Sequence, residues 1–105
     1  MPSIEIAGVT VDVDENGHMT DPGQWTREIG EAIAAELGIA PMTDAHWKVI
    51  DFLRADTAEK GAVPTIRRMK NAGGIPTKEL YALYPDGPLK KSTRIAGLPK
   101  PASCI

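Results

Sequence analysis

Helix-breaking residues recur along this chain at short intervals. Ten glycines and nine prolines are spread through its 105 residues. A proline inside a helix removes a backbone donor and clashes with the preceding turn, and glycine weakens a helix by about 1 kcal/mol relative to alanine. A chain divided in this way folds into short elements. Ile4, Ile6, Val9, Val11 and Val13 broadly alternate with polar residues around Gly8, which predicts a hairpin turning at Ala7-Gly8. Asn16-Gly17 is a second tight-turn signal, with a third short strand expected at 18–20. Asp21-Pro22-Gly23 ends that pattern.

Five helices are expected beyond it. The first covers residues 26–37, capped by Thr26 and stopped by Gly38, with Trp25, Ile29, Ala32, Ile33 and Leu37 on one stripe. The second is capped by Thr43, reaches Lys60 and stops at Gly61, burying Trp47, Ile50, Leu53 and Thr57, flanked by Val49 and Phe52. Pro64-Thr65 opens a third at 66–72, and Pro76-Thr77 a fourth at 78–84. A fifth spans 89–96 and ends at Gly97. The expected class is α+β: a small antiparallel β-meander of two or three strands on about five helices, one domain over 1–105, with residues 97–105 as a mobile, extended C-terminal arm.

The composition is that of an ordinary globular protein, 42% hydrophobic and 25% charged. No apolar run approaches the roughly 20 residues that span a bilayer, and the N-terminus carries no secretory pattern. One cysteine cannot form an internal disulfide, so a reducing cytoplasm is the expected compartment. The net charge of -2 conceals two unlike halves. Residues 1–59 hold twelve acidic side chains against Arg27, Lys48 and Arg54, about -9. Residues 60–105 hold nine bases against Glu79 and Asp86, about +7. Either the halves neutralise each other by packing, or a charged surface meets a partner.

The single cysteine, Cys104, follows Gly97-Leu98-Pro99-Lys100-Pro101-Ala102-Ser103. Chain ends rarely build core, and an exposed thiol is prone to oxidation, so it is either incidental or has a task. Two prolines at alternate positions bias this segment to an extended form. At about 3.1 Å per residue, the seven steps from Gly97 to Cys104 span roughly 20 Å, with Gly97 as the natural hinge. The reactive species is the thiolate, and an unperturbed cysteine has a pKa of about 8.5. Arg94 and Lys100 are the nearest cations in sequence, with Lys90 and Lys91 a turn earlier. Such an arm can carry a sulfane sulfur as a persulfide. A second thiol nearby would discharge it by forming a disulfide.

The tail, together with Gln24-Trp25, His46-Trp47, Pro64-Thr65-Ile66-Arg67 and Leu80-Tyr81-Ala82-Leu83-Tyr84-Pro85-Asp86-Gly87-Pro88, resembles the DsrC/TusE family of sulfur-relay proteins. The resemblance implies a β-meander packed on helices and a sulfur-carrying Cys104. It also implies an upstream sulfurtransferase donor and a downstream protein acceptor, in tRNA 2-thiouridine synthesis or in sulfur oxidation. Family members that partner dissimilatory sulfite reductase carry an earlier tail cysteine, which would fall at position 93. Thr93 stands there, so the chain resembles the single-cysteine kind.

Other chemistries find little footing. His18 and His46 lack short metal-ligand spacing with Cys104, and no metal or other cofactor is expected. No nucleophile elbow or phosphate loop is present. Trp25 and Trp47 read as core. Arg67, Arg68 and Lys70 form a basic cluster, read as a solvated face, a partner-docking surface or a phosphate contact. The alternative function is a helix-turn-helix-like DNA-binding regulator using this cluster; the negative net charge and short basic helix argue against direct nucleic-acid binding.

Overall fold

The computed structural model describes residues 3–15, 17–39 and 41–99. Strands β1 (Ser3–Ile6) and β2 (Val9–Asp12) pair antiparallel, with Ile4 opposite Val11 and Ile6 opposite Val9. Ala7 and Gly8 both have positive φ, 52° and 79°, the conformation that a two-residue hairpin turn needs to match strand twist. The expected third strand reduces to one bridge, Val13 with Met19. A two-residue pairing cannot extend because the chain turns at Asp21. There the Asp21 carboxylate accepts from the Gly23 amide and starts a 3-10 turn, Pro22–Gln24. The Gln24 side chain ties that turn to β2 by accepting from the Asp12 amide at 2.8 Å and donating to its carboxylate at 3.2 Å.

Five helices follow: α1 (Arg27–Glu36), α2 (Asp44–Lys60), α3 (Ile66–Asn71), α4 (Thr77–Leu83) and α5 (Pro88–Ile95). Thr26, Thr43 and Thr65 cap α1, α2 and α3 through their side chains, and Gly61 closes α2 at φ 75°. His46 completes a capping box with Thr43: its Nδ1 accepts from the Thr43 amide at 3.1 Å. Its Nε2 faces the Leu83 carbonyl at 3.1 Å, and a carbonyl accepts only, so Nε2 carries the proton.

The core is contiguous and joins Val11, Val13 and Met19 from the meander to Ile29 and Ile33 of α1. Ile50 and Leu53 of α2, Leu80 of α4, and Leu89 and Ile95 of α5 complete its centre. Helix α5 packs on α1, α2 and α4 and buries five of its eight residues. Trp47 is buried as expected, with the Arg27 guanidinium 4.1 Å above its ring. Tyr84 is fully buried and donates to the His46 carbonyl at 2.9 Å; that burial pushes its phenol pKa upward. Tyr81 stays exposed. No helix among the described residues is long and apolar enough to cross a membrane.

Candidate functional site

Helix α5 ends in a Schellman motif. The Gly97 amide donates to the Arg94 carbonyl at 3.2 Å, the Leu98 amide donates to the Thr93 carbonyl at 3.0 Å, and Gly97 sits at φ 69°. The two carbonyls left over are also taken. Trp25 Nε1 donates to the Ile95 carbonyl at 2.7 Å, and Arg54 Nη1 donates to the Ala96 carbonyl at 2.8 Å. Arg54 Nη2 reaches the Pro22 carbonyl at 3.2 Å while its guanidinium lies 4.2 Å above the Trp25 ring. One indole and one guanidinium thus bind the end of α5 to the 3-10 turn and to α2.

This clamp encloses the expected hinge residue. Gly97 is buried against Trp25, and a Cβ there would overlap the indole at Cδ1 and Cγ. Leu98 is buried as well, 2% exposed. Glycine is required at 97 by close approach and a left-handed backbone. The body therefore includes Gly97 and Leu98, and Pro99 is the first exposed residue past them. Trp25, expected as plain core, is half-buried and uses its N–H at the helix end. Gly30 allows this placement: a Cβ there would lie 3.0 Å from Trp25 Cζ2.

The remaining expected site residues divide. Lys100, Pro101 and Cys104 lie outside the described residues. Arg94 lies on α5 beside Gly17 and lines a cavity of about 230 Å³ with His18, Leu37, Asp86, Lys90 and Lys91. The basic cluster on α3 does not act as a unit. Arg68 is committed to the buried Asp56 through Nε at 2.9 Å and Nη2 at 2.6 Å, while Arg67 is exposed. The Arg68 hydrogen bonds hold the Asp56 carboxyl below its ordinary range. Sequence reasoning missed Asp56 and Arg54. Both are charged residues twelve or more positions from their partners, where helical periodicity gives no signal.

The family model described as DsrC like protein matches residues 5–105. The chain belongs to the DsrC-like family. It is 37% identical to a Haemophilus influenzae protein named sulfurtransferase TusE homolog, over 97% of this chain and 99% of that one. It is 34% identical, over the full length of both, to the dissimilatory-type sulfite reductase subunit gamma of Nitratidesulfovibrio vulgaris. Among solved structures it superposes on a crystal structure titled dissimilatory sulfite reductase I (DsrI) with a TM-score of 0.86 at 34% identity, covering 99% of this chain and 100% of that one. The NMR structure of Allochromatium vinosum DsrC gives 0.79 at 33% identity, covering 98% and 97%. The α+β class and the family resemblance read from the sequence both hold. In this DsrC-like fold, position 93 is a buried threonine on α5 whose hydroxyl donates to the Leu89 carbonyl at 2.7 Å.

Proposed function

We propose that this protein is a sulfur carrier that accepts sulfane sulfur on Cys104 and passes it to a partner protein. The family match over residues 5–105, which includes the one cysteine, is the observation that carries this reading. The Cys104 thiolate attacks the sulfane sulfur of a donor persulfide. A new S–S bond forms, the donor leaves as its thiolate, and Cys104 holds a persulfide. An acceptor thiolate then attacks the outer sulfur and regenerates Cys104. Neither step changes the net oxidation state.

The anchored end of α5 supports an arm that begins at Pro99. Five steps from Pro99 to Cys104 reach about 16 Å if extended. Pro99 and Pro101 restrict the shapes sampled and lower the entropy lost on docking. Lys100 and the cations of α5 provide positive charge beside that path. The donor is an upstream sulfurtransferase in a reducing compartment, and the acceptor serves tRNA thiolation or sulfur oxidation. Nothing favours the DNA-binding alternative, and of the Arg67, Arg68 and Lys70 cluster it relied on, Arg68 is spent on Asp56.

The test is loading with a low-molecular-weight persulfide, followed by intact-mass measurement. Wild-type protein gains the mass of one sulfur atom, reversed by a reducing thiol, and Cys104→Ser gains none. A serine variant that still takes up sulfur would place the carrier site elsewhere.

A further inference from the structure

A groove of about 360 Å³ runs between α1 and the start of α2, lined by Glu31, Ala35, Pro41, Met42 and Trp47. Glu31 and Ala35 stand one turn apart on the exposed face of α1. Pro41 and Met42 lead into α2, and Trp47 lies near its start. Trp47, 7% exposed, is the most buried side chain of the lining; Met42 is half-buried, and Ala35 and Pro41 are exposed. Four of the five lining residues are apolar, so water in the groove is displaced favourably by an apolar group of fitting shape.

The rim is acidic, and its charge is not spent internally. Arg27 precedes Glu31 by four positions, the spacing at which a helix commonly forms an ion pair. Its guanidinium instead lies 4.1 Å above the Trp47 ring, and Glu31 takes part in neither ion pair among the described residues. Glu28 and Glu36 on α1, and Asp44 and Asp51 on α2, are exposed and also outside both pairs. Residues 27–51 thus set five carboxylates against two cations, Arg27 and Lys48.

We propose that this groove docks a basic segment of a partner protein, which seats an apolar side chain against Trp47 and Met42 and pairs a neighbouring lysine or arginine with Glu31. An apolar centre inside a charged rim is the usual anatomy of a protein interface, and a pocket filled by one anchor carries much of its energy. The methionine wall adapts to the shape of the anchor. The carboxylates fix orientation and speed encounter with a basic partner. The same rim repels nucleic acid and small anions. Charge alone is not enough, because an exposed ion pair contributes about 0–1 kcal/mol; the apolar contact selects this place among the exposed carboxylates. The groove is built without Cys104, so the proposal goes beyond the carrier reading and does not rest on it.

The full chain is titrated by NMR at constant ionic strength with three synthetic peptides. One has a leucine flanked by lysines, one has alanine in place of that leucine, and one has glutamates in place of the lysines. The leucine–lysine peptide is expected to bind saturably and to shift the Glu31, Ala35 and Met42 amides and the Trp47 indole N–H. The other two should bind at least tenfold more weakly. Glu31→Gln removes the charge and keeps the shape, and Ala35→Gln narrows the groove and keeps the charge. Both positions are exposed, so the amide spectrum should stay folded while each variant binds the leucine–lysine peptide at least fivefold more weakly. No saturable binding, shifts centred elsewhere, equal binding of the leucine and alanine peptides, or affinity unchanged by either substitution would overturn the proposal. Persulfide loading reads Cys104 and not this groove, so failure here and failure of the carrier reading are separable.

Discussion

At position 97 two demands coincide, a left-handed backbone and the absence of a side chain. Gly97→Ala must accept the left-handed conformation, about 1–2 kcal/mol, and press a methyl into Trp25, about 1–3 kcal/mol more. Chemical denaturation should register a loss of roughly 2–5 kcal/mol. An unchanged midpoint would show that the α5 end is not held as described. His18 gives a second residue-scale prediction. Its folded pKa is depressed below 6.5 by burial, so the unfolded chain binds more protons in the window just below that value. The His18 contribution is complete above about pH 6.5 and declines as pH falls toward the folded pKa. Thermal melts between pH 8 and pH 5 should show this decline, and His18→Phe should flatten it. An identical pH profile in the variant would place the sensitivity elsewhere.

Among the elements, α5 is short but heavily anchored. Its last carbonyls are taken by Trp25 and Arg54 rather than by water, and Arg54 reaches across to Pro22 in the same geometry. Arg54→Met leaves the Ala96 and Pro22 carbonyls without this donor and should destabilise the fold by about 1–3 kcal/mol in urea denaturation. Arg54→Lys should recover little, since an ammonium cannot span two carbonyls as a planar fork does. Full rescue by lysine would reduce the clamp to simple charge. The boundaries of most elements were legible in the sequence because their signals are local: Thr26, Thr43 and Thr65 as caps, Gly61 as a stop, Ala7-Gly8 as a turn. The third strand failed because pairing requires a partner over several residues, and only Val13 and Met19 meet. Gly97 was read rightly as a helix stop, but its packing against an indole was not legible. The residue packed against it, Trp25, lies 72 positions earlier in the chain.

For the whole molecule, the charge asymmetry is only lightly neutralised within the described residues. Two ion pairs join the acidic and basic halves: Asp56 with Arg68, and the exposed Glu59 with Lys60 at 3.9 Å. The Asp56 carboxyl is held below its ordinary value, chiefly by the Arg68 hydrogen bonds. Its contribution is therefore present above the unfolded carboxylate pKa, about 3.9, and is lost as pH falls through the folded value. Asp56→Asn should lower stability at neutral pH and reduce the acid dependence below about pH 4 in a denaturation series. A variant as acid-sensitive as the parent would assign that dependence to other carboxylates. The cations of α5 stay outside this internal pairing among the described residues.

Because Gly97 and Leu98 are packed into the body, a pull applied at Pro99 would bear directly on the interior. A partner drawing Pro99 outward would load the buried Leu98 and, at Gly97, the backbone packed on the indole. The Leu98 amide, bonded to the Thr93 carbonyl at 3.0 Å, then becomes a built-in strain gauge. Its hydrogen-exchange rate would rise if such a load reached the helix end.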